Sequence, residues 1–126
     1  MGDYSRLNYQ HVGDVLVVRP LVRVLGPWDG LDDRPAEAVE FRDQLRQLLD
    51  ADAGPLLLDI RGFPFARNWL WFLVPLAKDF KVQGRKWMIC VQPRVAEAFA
   101  ITKFDRVLPI GTDLDEAVVT LSQAGH

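Results

Sequence analysis

From Asp14 to Leu25 the chain reads Asp-Val-Leu-Val-Val-Arg-Pro-Leu-Val-Arg-Val-Leu. Its β-branched opening predicts a strand, and Pro20, which has no N–H for a ladder, marks a strand end, an edge or a bulge. A turn-rich, acidic connection follows over residues 26–35. Asp32 and Asp33, just ahead of Pro35, supply cap candidates and a residue whose φ is preset for a helix. Ala38, Phe41, Leu45, Leu48 and Leu49 then recur at helical spacing, with Glu37, Glu40, Arg42, Asp43, Arg46 and Gln47 between them. That pattern predicts an amphipathic helix over 36–50.

The period changes after Gly54-Pro55. Leu56-Leu57-Leu58-Asp59-Ile60 is a short, continuous apolar run, the pattern of a strand covered on both faces. A second helix is expected over 68–82, capped by Asn68 and ended by Gly84. Residues 86–91 read as another buried strand, 94–103 as a third helix, 106–110 as a last strand and 113–123 as a closing helix. Thr112-Asp113-Leu114-Asp115-Glu116 places a cap candidate and two acids where the helix dipole favours them. Strands alternating with helices imply parallel pairing. The expectation is a layered α/β domain over 1–126: about four or five strands, mixed at the amino-terminal edge, under about four helices.

The order and spacing of these segments resemble the STAS domain, the fold of anti-sigma factor antagonists and of sulfate-transporter tails. The resemblance rests on Leu56-Leu57-Leu58-Asp59-Ile60-Arg61-Gly62-Phe63-Pro64-Phe65, on Gly84-Arg85-Lys86-Trp87, on Pro93-Arg94-Val95-Ala96-Glu97-Ala98-Phe99 and on Thr102-Lys103-Phe104-Asp105-Arg106-Val107. It covers roughly residues 12–121. It implies a bacterial, non-enzymatic regulatory domain in signal transduction, binding a protein such as an anti-sigma factor or kinase-like regulator, or a second copy of itself. The departures are chemical. Where the family commonly carries Asp-Ser-Ser-Gly, with a phosphorylated serine, this chain has Arg67-Asn68-Trp69-Leu70. No Ser, Thr, Tyr or His lies between Arg61 and Val82, so no phosphorylation site is expected there. Lys103 stands where the family often has glycine.

Trp69 to Ala77 is the most apolar stretch of the chain. Trp69, Phe72, Leu73, Leu76 and Phe80 form one helical stripe, which leaves Leu70, Trp71 and Val74 off it. Either the helix is buried between two layers, or these side chains form a patch for a partner. The second reading is the expectation, since Trp is enriched in interface hot spots; its residues are Arg67, Asn68, Trp69, Leu70, Trp71 and Val74. Pro75 interrupts the backbone bonding of the same helix. A carrier for a small apolar ligand or lipid, using the Trp- and Phe-rich segment as a pocket, is the alternative.

Other chemistry is sparse. Arg61, Arg67 and the helix start near Asn68 can attract an anion, but no Gly-rich phosphate loop is present. Asp59, Asp29, Asp32 and Asp33 offer carboxylates without a nucleophile–base pair beside them; Ser5, Ser122, His11 and His126 fall in no motif. Cys90, between Met88-Ile89 and Val91, reads as an inert core thiol. Neither a catalytic site, a metal site nor a cofactor is expected.

Composition narrows the remainder. Of 126 residues, 49% are hydrophobic and 25% charged, an ordinary water-soluble balance. Fifteen basic against seventeen acidic side chains give a net charge of −2, which disfavours a nucleic-acid partner. One cysteine cannot form an internal disulfide. The apolar run is far shorter than the ~20 residues of a membrane span, and the opening residues lack a signal peptide's basic and apolar regions. A cytoplasmic location is expected.

Overall fold

The computed structural model describes residues 5–21, 36–62, 69–103, 106 and 108–124, with side chains at all of these except 36–39, 69–72, 123 and 124. Five strands form one sheet in the order β1-β2-β3-β4-β5: β1 (Leu7–Val12), β2 (Val15–Pro20), β3 (Leu56–Asp59), β4 (Trp87–Cys90) and β5 (Ile110–Gly111). Four helices alternate with them: α1 (Ala36–Ala51), α2 (Trp69–Gln83), α3 (Pro93–Ile101) and α4 (Leu114–Ala124). β1 and β2 are antiparallel and every later neighbour is parallel. The fold is therefore layered α/β with a mixed sheet, the mixture lying at its amino-terminal edge.

Alternate positions along each strand face opposite layers. Leu16, Val18, Leu56, Leu58 and Ile89 join one core with Phe41, Leu45, Leu48 and Leu49 of α1, Leu73, Leu76 and Phe80 of α2, and Val95 and Phe99 of α3. Val15, Val17, Leu57 and Cys90 join Ala117 and Leu121 of α4 on the other face. β3 is buried at all four positions, which is why its sequence does not alternate. Each buried Leu, Ile or Phe side chain contributes about 1.5–3 kcal/mol by leaving water.

Helix ends account for much of the local precision. Gly84 takes φ +69, the left-handed conformation that glycine adopts without a Cβ penalty. Its N–H donates to the Lys81 carbonyl, and the Arg85 N–H donates to that of Phe80, which together close a Schellman motif on α2. Lys103 also takes a left-handed conformation, φ 64, so the position after α3 where glycine would be easiest carries a side chain instead. α4 is capped by Asp113, whose Oδ1 accepts the Glu116 N–H at 3.0 Å.

Three departures from the sequence reading have a physical cause. β1 lies outside the segments read as strands, because in Leu7–Val12 only Leu7 is fully buried and no apolar run marks it. α3 starts at Pro93, as a proline at the first helical position allows. The expected strand over 106–110 shrinks to Ile110–Gly111: Pro109 has no N–H to give the ladder, although its carbonyl still accepts the Ile89 N–H at 2.8 Å.

Candidate functional site

Two surfaces stand out, one on each side of the sheet. The first begins on α2. Leu73, Leu76 and Phe80 are buried against the sheet, and Phe80 meets Trp87 edge to face with ring centroids 4.9 Å apart. Val74 and Ala77, one place on from Leu73 and Leu76, are half-buried. They line a cleft of about 470 Å³ with Lys78, Lys81, Arg85, Trp87 and Arg106. Apolar and basic residues thus sit side by side, with no acid among the described lining residues. Lys78, Lys81 and Arg106 are exposed.

Arg85 is committed to the fold. Its Nη1 donates to the carbonyls of Asp52 and Gly54, and its Nη2 to that of Leu49, all at 2.9 Å. One guanidinium thereby satisfies carbonyls at the end of α1, where a helix has no donors of its own. Its Nε is buried without a hydrogen-bond partner, and the three hydrogen bonds fix Arg85 where it lines the cleft.

Of the residues expected to bind a partner, Val74 lines this cleft. Trp69, Leu70 and Trp71 belong to the first turn of α2, with side chains outside the described residues; Arg67 and Asn68 lie outside them altogether, as do Asp29, Asp32, Asp33 and His126. Of the groups that can attract an anion, Arg61, Arg67 and the helix start near Asn68, only Arg61 is among the described residues.

The second surface is at the carboxyl ends of β2 and β3, on the α4 side. Arg19 and Asp59 lie one step beyond the paired residues Val18 and Leu58, and Asp59 pairs in register with Cys90. Asp59 is 6% exposed. Its Oδ1 accepts Arg61 Nε at 2.9 Å and the Arg61 backbone N–H at 3.2 Å; its Oδ2 accepts Arg61 Nη2 at 3.0 Å and Arg19 Nε at 2.8 Å. Burial pushes this carboxyl up, but the hydrogen bonds from Arg61 and Arg19 outweigh it and hold Asp59 below the usual carboxylate range. The same bond raises Arg61 further above its ordinary value. Gln92 donates its side-chain amide to the Arg61 carbonyl, fixing the turn that follows β3.

The sequence pointed to Asp59 as a strand-end carboxylate but not to its two partners. Arg61 is two residues on, whereas Arg19 is 40 residues away and reaches it only because β2 and β3 are parallel neighbours.

Other titratable groups serve structure. His11 pairs with Asp52, and this bond, followed by the Gly54 N–H, lowers the Asp52 carboxyl. Cys90 is buried against α4 and its thiol is pushed up, foremost by burial. Among the described residues no three metal-binding side chains cluster, and no helix is long and apolar enough to cross a membrane. No family model matches the chain, and no curated protein matches it in sequence.

Proposed function

We propose that this chain is a STAS-like regulatory interaction domain that acts in the cytoplasm without catalysing a reaction and without a phospho-switch at the start of α2. Its partner is a protein, held by the α2 face from the Arg67–Val74 segment into the adjoining cleft; a second copy of the chain is the alternative occupant. The observation that carries the reading is the cleft itself: Val74, Ala77 and Trp87 form an apolar floor beneath Lys78, Lys81 and Arg106. On a chain of net charge −2, a local run of cations with no acid among the described lining residues favours a partner segment with acidic side chains around an apolar anchor. The layered α/β fold and the chain's resemblance to anti-sigma factor antagonists support the same reading.

Capture of partners on immobilised wild type and on Val74→Asp tests it. Val74→Asp places a carboxylate on the apolar floor at a half-buried position while leaving the fully buried stripe of α2 untouched. The expected result is one protein retained by the wild type and lost by Val74→Asp at equal thermal stability. Equal retention by both, or a bound apolar small molecule in native mass spectrometry, would refute the reading and favour a carrier.

A further inference from the structure

The Arg19–Asp59–Arg61 cluster is organised as a receptor as well as a brace. Asp59 uses Arg19 only through Nε, and Arg61 through Nε and Nη2. This leaves the Nη1–Nη2 edge of Arg19 and the Nη1 of Arg61 available to a ligand. The two side chains are 43% and 40% exposed, while the carboxylate behind them is 5% exposed. A cleft of about 350 Å³, lined by Arg19, Pro20, Asp59, Arg61 and Gly62, opens in front of them, at the small end of ligand-site volumes. It lies at the carboxyl ends of the parallel strands β2 and β3.

Charge and geometry agree on the ligand. Two guanidiniums share one buried carboxylate, so the cluster carries a net positive charge. Asp113 also acts on Arg61 through its charge, but its carboxylate bonds the Glu116 N–H and neither guanidinium, so among the described residues Asp59 is the one carboxylate that the two guanidiniums bond. A guanidinium edge matches two oxygens of an oxyanion, and a second guanidinium offers donors to a third, which a carboxylate does not have. That arrangement suits a tetrahedral oxyanion better than a planar carboxylate. Asp59 fixes both guanidiniums beforehand, which lowers the ordering cost of binding.

We infer that the cleft between the ends of β2 and β3 is a binding site for the phosphate group of a small phosphorylated molecule, with Arg19 and Arg61 as its ligands and Asp59 as the positioning residue. The site is on the α4 side of the sheet and independent of the α2 cleft.

Titration of the full-length chain with glycerol phosphate, with inorganic phosphate and with acetate, followed by the arginine Nε–H resonances and by calorimetry, tests the inference. Arg19→Gln is the variant, since Asp59 keeps its bidentate pairing with Arg61 and the fold is retained; Arg19→Lys keeps charge but loses the fork. Both phosphates should shift the Arg19 and Arg61 resonances with saturation below about 10 mM, while acetate does so weakly. Arg19→Gln should weaken phosphate binding by about tenfold or more, with Arg19→Lys between it and the wild type. Inorganic phosphate binding as tightly as the monoester would identify free phosphate as the source. No saturable shift, equal binding of acetate, or undiminished binding by Arg19→Gln would overturn the site.

Discussion

Replacing Asp59 by Asn removes the charge that holds Arg19 and Arg61 together while keeping nearly the same shape. The amide retains one acceptor oxygen, so two of the four hydrogen bonds survive at best. If its NH2 takes the place of Oδ2, it opposes the donors Arg19 Nε, now at 2.8 Å, and Arg61 Nη2, now at 3.0 Å. Each hydrogen bond to a charged group is worth about 1.5–3 kcal/mol. Both guanidiniums are two-fifths exposed and recover water when released, and the wild type also spends desolvation energy on the buried charge. A net loss of about 2 kcal/mol at neutral pH follows, equivalent to a fall of about 5–10 °C in melting temperature for a domain of this size. The pH dependence has a definite sign. The folded-state carboxyl titrates below its usual value of 3.8, so the folded protein binds fewer protons than the unfolded chain in that range. The stabilisation is fully present above the usual carboxylate range and is lost as pH falls through it and below. Urea unfolding of wild type and Asp59→Asn at neutral pH and at stepwise lower pH is the assay. The gap should be widest at neutral pH and narrow from about pH 4 downward. A gap under about 0.5 kcal/mol at neutral pH, or one that is constant down to acid pH, would refute the account of the cluster.

Arg85→Met should cost about 2–3 kcal/mol by chemical denaturation, since the Leu49 carbonyl in the last turn of α1 and the Asp52 and Gly54 carbonyls just beyond it lose a charged donor that Met cannot replace. Lys103→Gly should raise stability by about 0.5–1 kcal/mol, because the strain of a side chain at φ 64 exceeds the entropy glycine adds to the unfolded state; a loss in the melt would contradict this. Asp113→Ala should lower stability by about 1 kcal/mol through the lost cap of α4, with hydrogen exchange rising first at the Glu116 amide.

The parts of the fold that were legible in the sequence are those where one side chain decides its environment alone. Phe41, Leu45 and Leu48 announce the buried face of α1, and three consecutive leucines announce β3, because each is fully buried whatever its neighbours do. β1 was not legible, since its place at the edge follows from backbone pairing with β2 rather than from burial of its own side chains. The same division holds at the candidate sites. Val74 could be named from its position off the apolar stripe of α2. The cleft could not, because Trp87 and Arg106 reach it from outside α2. Asp59 was visible as a strand end, but a carboxylate that binds two arginines from β2 and from its own turn is a property of the parallel register. Arg85 shows the limit most directly: an exposed-looking basic residue after a glycine serves as the cap of a helix 34 or more positions earlier in the chain.

If α2 docks a partner as proposed, Trp71 belongs to that surface while Leu73, Leu76 and Phe80 of the same helix belong to the core. Sedimentation velocity of wild type and Trp71→Ala, each alone and with the captured partner, paired with thermal melts of both, tests it most directly. A buried Trp of ~150–250 Å² at about 25 cal/mol per Å² supplies several kcal/mol to an interface, or about 3–5 kcal/mol of fold stability if it is core. Trp71→Ala should weaken association by tenfold or more, with a melting temperature within about 2 °C of wild type. An unchanged association with a collapsed melting temperature would place Trp71 in the core and contradict the account.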